Sequence, residues 1–405
     1  SLLKGDPRQA SLHAEMALKL SEDAGSPMSS VRCHLAKAHA MHELGNAEEA
    51  KKHLAHTFSI GRQINAKNSE FWALWAEALF SLDQGEEAST LASLQKALAI
   101  GKKEGYFITY IDRPSGMATL CIKALEARIE VEYVQKLIRK LNIVSDPPPF
   151  HLENWPWPLK IYTLGPFELL KDDKPIHFSR KAQQRPLSML KALIACGSRE
   201  VREDQIEDAL WPEADGDVAH HSFEMTLHRL RKLIDLPEAL EFQDGRLTLD
   251  PRYCWVDVQA FEYLYEEVYG NRKEGLREGS VQLTQRAIEM YRGSFLAGEV
   301  EQSWMVFVRE RLRRKFLKNL SWLGHYREQN DQWEKALECY EQGLEVDELA
   351  EELYRRLIMC YQRLGRKAEA ISVYQRCKKT LSSALGIEPS SETKALYQKI
   401  LNENR

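Results

Sequence analysis

Asp217-Val-Ala-His-His-Ser-Phe-Glu-Met-Thr-Leu-His-Arg-Leu-Arg-Lys-Leu-Ile234 sets the apolar residues Phe223, Leu227, Leu230 and Ile234 at helical spacing. A helix with one such stripe buries it against a core. Its other face presents His221, Ser222, Met225, Thr226, His228, Arg229 and Lys232, with Arg231 at the margin, a hydrogen-bonding and partly cationic surface suited to DNA. Shortly after comes Leu240-Glu-Phe-Gln-Asp-Gly-Arg-Leu-Thr-Leu249, two alternating runs around Asp244-Gly245, a strong signal for a tight hairpin. Helix and hairpin together read as a recognition helix and its wing.

Upstream, Leu159-Lys-Ile-Tyr-Thr-Leu-Gly-Pro-Phe-Glu-Leu169 alternates like a strand pair turning through Gly165-Pro166, and Asp172-Asp173 marks a further turn. Pro186 suits the first turn of a helix running to about Cys196, with Gly197 as its stop. Glu203 to Trp211 makes a second helix, halted by Pro212, and Asp217 to Ile234 the third. Strands, three helices and a hairpin are the winged-helix plan, which we expect over residues 159–257.

Internal repeats flank this segment. Gly5, Gly45 and Gly85 are forty residues apart, Ala50 follows Ala10 by the same interval, Leu54 recurs as Leu94, and Ile60-Gly61 recurs as Ile100-Gly101. A period of this size without strand signals predicts stacked helical hairpins over residues 1–145. Trp72, Trp75, Ala76 and Leu79 are expected to pack between those hairpins. Five prolines in Ser145-Asp-Pro-Pro-Pro-Phe-His-Leu-Glu-Asn-Trp-Pro-Trp-Pro158 forbid a continuing helix, so residues 146–158 read as a semi-stiff linker whose tryptophans lie against a neighbouring domain. In the last third the period is 34: Leu323 recurs as Leu357, Ala336 as Ala370 and Tyr340 as Tyr374. Tyr354, Leu357, Tyr361, Gly365 and Tyr374 then fall where a tetratricopeptide repeat puts its large, glycine and aromatic residues. The expected fold is mainly α, with tetratricopeptide-like hairpins in residues 1–145 and 258–405 flanking a small α+β winged helix.

Composition removes several function classes. No apolar run approaches the ~20 residues that cross a bilayer and no signal-peptide pattern opens the chain, so a cytoplasmic protein with no membrane partner is expected. The seven cysteines are far apart and never in C-x-x-C, which suggests neither a disulfide framework nor a zinc knuckle. A net charge of -4 argues against a protein that coats nucleic acid generally. Lys160 to Asp257 holds 14 Lys plus Arg against 18 Asp plus Glu, so DNA binding there has to come from segregated charge. There is no G-x-x-x-x-G-K-[ST], G-x-G-x-x-G or G-x-S-x-G, and no cofactor or catalytic group is assigned.

With these residues in view, 159–257 resembles a response-regulator-type winged helix, carrying Arg229-Leu-Arg-Lys232 near the end of its recognition helix. Residues 258 to about 401 resemble the bacterial transcriptional activator domain that follows such a winged helix in antibiotic-regulatory-protein-type activators. The motifs are Ile288-Glu-Met-Tyr-Arg-Gly-Ser-Phe-Leu296, Trp304 with Arg309-Glu-Arg-Leu312, and Leu385-Gly-Ile-Glu-Pro-Ser390. Residues 1–145 resemble, less specifically, the helical-repeat sensor arm of maltose-activator-like regulators, in which an upstream nucleotide-binding switch domain is common. The first repeat opens at Ser-Leu-Leu-Lys-Gly-Asp without a capping element, and we expect a portion of a longer regulator.

The resemblance implies that the third helix lies in a major groove, with Arg229 donating twice to a guanine. His228 and Arg231 would then meet backbone, Thr226 and Met225 a base or thymine methyl, and Arg246 at the wing tip the minor groove. His220, His221 and Glu224 depart from the Arg or Asn that relatives often carry early in this helix. Weaker binding that strengthens from pH 8 to pH 6 is the expectation. His221, Glu224 and His228 share a face at metal-ligand spacing but lack a fourth ligand, and no metal is assigned. Together these features predict an activator that binds promoter DNA and meets RNA polymerase subunits or a second protomer through its repeats. The rival is an interaction scaffold whose winged helix binds a partner protein. A third reading is the regulatory part of a signalling enzyme.

Overall fold

The computed structural model describes residues 5–107, 114–177, 183–270 and 278–402. It is mainly helical, with a few short strands, and divides into two compact units, Ser1–Trp157 and Pro158–Arg405. Residues 1–4, where the first repeat opens, lie outside the described residues.

Unit 1 is a run of helices: α1 Pro7–Asp23, α2 Pro27–Glu43, α3 Ala47–Gln63, α4 Lys67–Asp83, α5 Glu87–Glu104, α6 Pro114–Glu126 and α7 Val131–Leu141. The forty-residue period is two helices, each closed by a left-handed residue. Gly25, Gly45 and Gly85 take φ 59°, 78° and 75°, and Asn65 takes 52° in the same role. The recurring Ile-Gly pairs have a packing cause. A Cβ on Gly61 would come 2.0 Å from Ser69 Oγ, and one on Gly101 would come 2.3 Å from Tyr133 Oη, so glycine lets adjacent helices touch. Trp72, Trp75 and Ala76 are buried between helices. The proline-rich segment folds back onto the last helices of the same unit. Trp155 and Trp157 are buried, Trp157 Nε1 donates to the Leu152 carbonyl at 2.9 Å, and Asn154 Nδ2 donates to the Leu125 carbonyl at 3.1 Å.

Unit 2 begins with β1 Leu159–Tyr162, antiparallel to β2 Glu168–Lys171 with Leu159 opposite Lys171, and β2 pairs in turn with β3 Lys174–Pro175. The three helices follow as α8 Gln184–Ala195, α9 Glu203–Leu210 and α10 Gly216–Ile234, with β4 Val201–Arg202 between the first two. The wing is β5 Leu240–Gln243 and β6 Arg246–Leu249, joined by Asp244 and Gly245 at φ 50° and 69°, the positive pair that a tight hairpin turn needs. β7 Cys254–Val256 then returns to lie parallel to β1, completing the sheet order β3-β2-β1-β7, while β4 joins the wing in the order β4-β6-β5.

The chain continues as α11 Asp257–Tyr269, α12 Glu278–Met290, α13 Ser303–Gln329, α14 Trp333–Val346, α15 Glu351–Arg363, α16 Lys367–Leu385 and α17 Ser391–Asn402. One hydrophobic cluster runs from Leu159 and Phe223 through Phe261 and Phe295 to Phe316, so the winged helix and the helices after it share a core. Asp257 is the joint: fully buried, it accepts from Thr163 N, Thr163 Oγ1, Leu164 N and Val258 N at 2.7 to 2.8 Å. Arg309 adds a second clasp, donating to the carbonyls of Phe295 and Leu296. The 34-residue partners Leu323 and Leu357, Ala336 and Ala370, Tyr340 and Tyr374 are all buried. Asp331 and Gly365, at φ 55° and 72°, make the equivalent turns.

Candidate nucleic-acid interface

α10 is held by Ala219, Phe223, Thr226, Leu227, Leu230 and Ile234 on its inner side. Phe223 and Leu230 have no exposed surface, and each contributes roughly 1.5–3 kcal/mol by burial. The inner side of the helix is therefore anchored in the core. At about 100° per residue its outer face carries Val218, His221, Met225, His228, Arg229 and Lys232, all exposed, with Val218 58% and Met225 42% accessible. Ser222 is half-buried at the edge.

Thr226 is not on that face. It is 6% exposed, one turn from both Phe223 and Leu230, so its angle around the helix lies inside the buried arc, and the expectation that it touches a base is corrected. Arg231 has a different occupation from a free phosphate ligand. Half-buried, it donates from Nη2 to the Leu240 carbonyl at 2.9 Å, tying α10 to the first wing strand. Arg246 is exposed beside the wing turn and donates to the Glu200 carbonyl at 3.1 Å. Val218 was missed in the sequence because it precedes the first apolar residue of the buried stripe, though it stands seven residues before Met225, two turns along one face.

Acidic groups frame the face. Asp215, Asp217 and Glu224 are exposed. His220 does not point outward with His221: its Nδ1 lies 2.6 Å from Glu203 Oε1, and this hydrogen bond together with the Glu203 charge raises its pKa. Among the described residues, the ligand-type side chains with donor atoms gathered within 4.8 Å are Glu203, Glu207 and His220, and not the His221, Glu224 and His228 set.

A helix anchored on one side, with an adjoining two-stranded wing and helical repeats following in the chain, defines a winged-helix fold joined to helical repeats. Sequence comparison narrows this. Residues 256–401 match the profile of the family described as "Bacterial transcriptional activator domain", and the chain carries that domain. Over 250 residues, 60% of the chain, it is 25% identical to the "Regulatory protein AfsR" of Streptomyces coelicolor, and equally to that of Streptomyces griseus. The matched region is 24% of each relative, so the chain spans about a quarter of the length of the curated relatives it matches. Among solved structures, Mycobacterium tuberculosis EmbR in complex with a low-affinity phosphopeptide aligns with a TM-score of 0.50 at 22% identity, over 61% of this chain and 65% of that one, a likeness of fold. No helix among the described residues is long and apolar enough to cross a membrane.

Proposed function

We propose that this chain is the promoter-binding effector portion of a bacterial transcription activator that answers a signal received elsewhere in a longer protein. The observation that carries this reading is the exposed stripe Val218, His221, Met225, His228, Arg229 and Lys232 on a helix whose other side is locked in the core, with Arg246 on the wing beside it. Such a helix enters a major groove, Arg229 reads a guanine edge and Lys232 holds phosphate. Val218 and Met225 supply the apolar contact that a thymine methyl accepts. The binding role needs no chemistry from the chain. The helical repeats offer surfaces for RNA polymerase subunits or a second protomer.

Selection of bound DNA from a random pool, followed by affinity measurement on the enriched site, tests this. Arg229→Ala should lose about 1–3 kcal/mol at one base position, whereas Lys232→Ala should weaken all sequences alike and lower the salt slope by about 1. Absence of binding to any DNA near ~50 mM salt overturns the reading, because phosphate contacts are strongest there. Exposed Asp215, Asp217 and Glu224 favour one rival, in which the same face meets a cationic protein surface. That rival gains if a protein partner binds through Glu224 while the random pool yields nothing.

A further inference from the structure

We propose that Glu203 and Glu207 of α9, with His220 of α10, form a binding site for one divalent first-row transition ion of the zinc class. Glu203 and Glu207 are four residues apart, so both carboxylates leave one face of α9, and His220 meets them there. One donor atom from each of the three lies within 4.8 Å of the other two. Two carboxylate oxygens and an imidazole nitrogen suit a borderline cation, whereas magnesium and calcium favour oxygen alone. Zinc holds such donors tetrahedrally at about 2.0–2.2 Å, which sets neighbouring donor atoms about 3.4 Å apart. His220 Nδ1 and Glu203 Oε1, now 2.6 Å apart, would separate by roughly 0.8 Å to take an ion between them, a swing for which the 56% exposed His220 side chain has room.

A separate observation points to an ion. Glu207 Oε1 is shielded from solvent and has no hydrogen-bond partner, an orphaned acceptor beside a second carboxylate. A dication supplies what it lacks. On the far side of the ring, Glu224 Oε1 lies 3.8 Å from His220 Nε2, an ion-pair distance from which the exposed carboxylate can swing in to orient a metal-binding imidazole. The nearby cations are engaged elsewhere, Arg202 with Asp204 and Arg246 with the Glu200 carbonyl. Occupancy would pin α9 to the opening turns of α10. The site stands on its own geometry and does not depend on DNA binding.

The test uses the full chain, stripped with chelator and titrated with zinc by calorimetry and with cobalt by absorption spectroscopy. One equivalent should bind and raise the Tm. His220→Ala and Glu207→Gln should each weaken binding at least about tenfold, and Glu224→Gln by about tenfold through loss of the orienting carboxylate. His220 and Glu224 are exposed and Glu207→Gln keeps the size of a half-buried side chain, so the melting of each metal-free variant, measured beside that of the parent chain, separates a lost ligand from a lost fold. The proposal fails if no equivalent binds. It fails equally if both ligand variants bind undiminished, which would put the ion elsewhere, for example at His34, His53 and His56.

Discussion

In the N-terminal helical array the described polar side chains that are buried are Ser, Thr and His, while ion pairs such as Lys37 with Glu15 stay at the rim: Ser21 Oγ meets Ser30 Oγ at 2.9 Å, and His34 Nδ1 meets His53 Nδ1 at 2.9 Å with His56 stacked on His34. In the C-terminal array a carboxylate enters the seam. Glu328, 9% exposed, accepts from Tyr340 Oη at 2.8 Å and from Arg356 Nη1 at 3.3 Å, while Glu351 accepts from Ser390 N, Ser390 Oγ and Thr393 Oγ1. Both arrays use the same left-handed turn. The difference shows that a helical repeat fixes the backbone plan and leaves the chemistry of its seams free, so each array should fail under its own conditions.

Glu328→Ala should produce the largest loss. It leaves the buried Tyr340 hydroxyl without its acceptor, while Arg356, 32% exposed, keeps Glu352, so the loss should reach up to about 3 kcal/mol. Denaturant unfolding followed by hydrogen exchange should place that loss in α13 to α16 and leave α1 to α5 unchanged; a loss shared by both arrays would erase the distinction.

Acid should do the opposite. Burial first, then the His53 and His56 charges, lower the His34 pKa to about 4. An unfolded histidine titrates near ~6.5, so between that value and about 4 the unfolded chain takes up a proton that the folded chain refuses. Stability from this group is full above the unfolded value and declines as pH falls through the window, by about 2 kcal/mol. In the C-terminal array, burial opposes ionisation of Glu351, but hydrogen bonds from Ser390 and Thr393 hold its pKa below the ordinary value, so that seam keeps its charge further into acid. Exchange protection, taken relative to the intrinsic rate at each pH, should fall in α2 and α3 from pH 7 to pH 4.5 ahead of that in α15 and α16. His34→Gln should remove the difference, and parallel losses of protection would sink the comparison.

The smallest effect should be a shared one. Gly45→Ala and Gly365→Ala each force a side chain into φ 78° or 72° with nothing crowding the new methyl. Each should cost about 1–2 kcal/mol, measured as matching shifts in denaturation midpoint. Unequal costs would mean that the two turns are not equivalent.

Much of the fold was legible because local patterns agreed with it. The stripe through Phe223, Leu227, Leu230 and Ile234 gave a helix within one residue of that observed, and Asp244-Gly245 marked the hairpin. The forty- and 34-residue spacings located both arrays. Less legible was whatever depended on a distant segment. β7 pairs with β1 from 95 residues away, and β4 is two residues long, too short to carry an alternation. Within the candidate site, Thr226 could have been removed by its angle to Leu230. The engagement of Arg231 by Leu240 could not, because it depends on where the wing folds.

Periodicity and turn residues by themselves determined that this chain builds helical hairpins around a winged helix, because backbone preference and apolar spacing act over a few residues. Only tertiary structure decided which polar side chains are free. Arg231 was committed to the wing, and His220 was turned from the reading face toward Glu203 and Glu207. A side chain's partner is set by which helices cross nearby, and that crossing is fixed by the packing of whole elements.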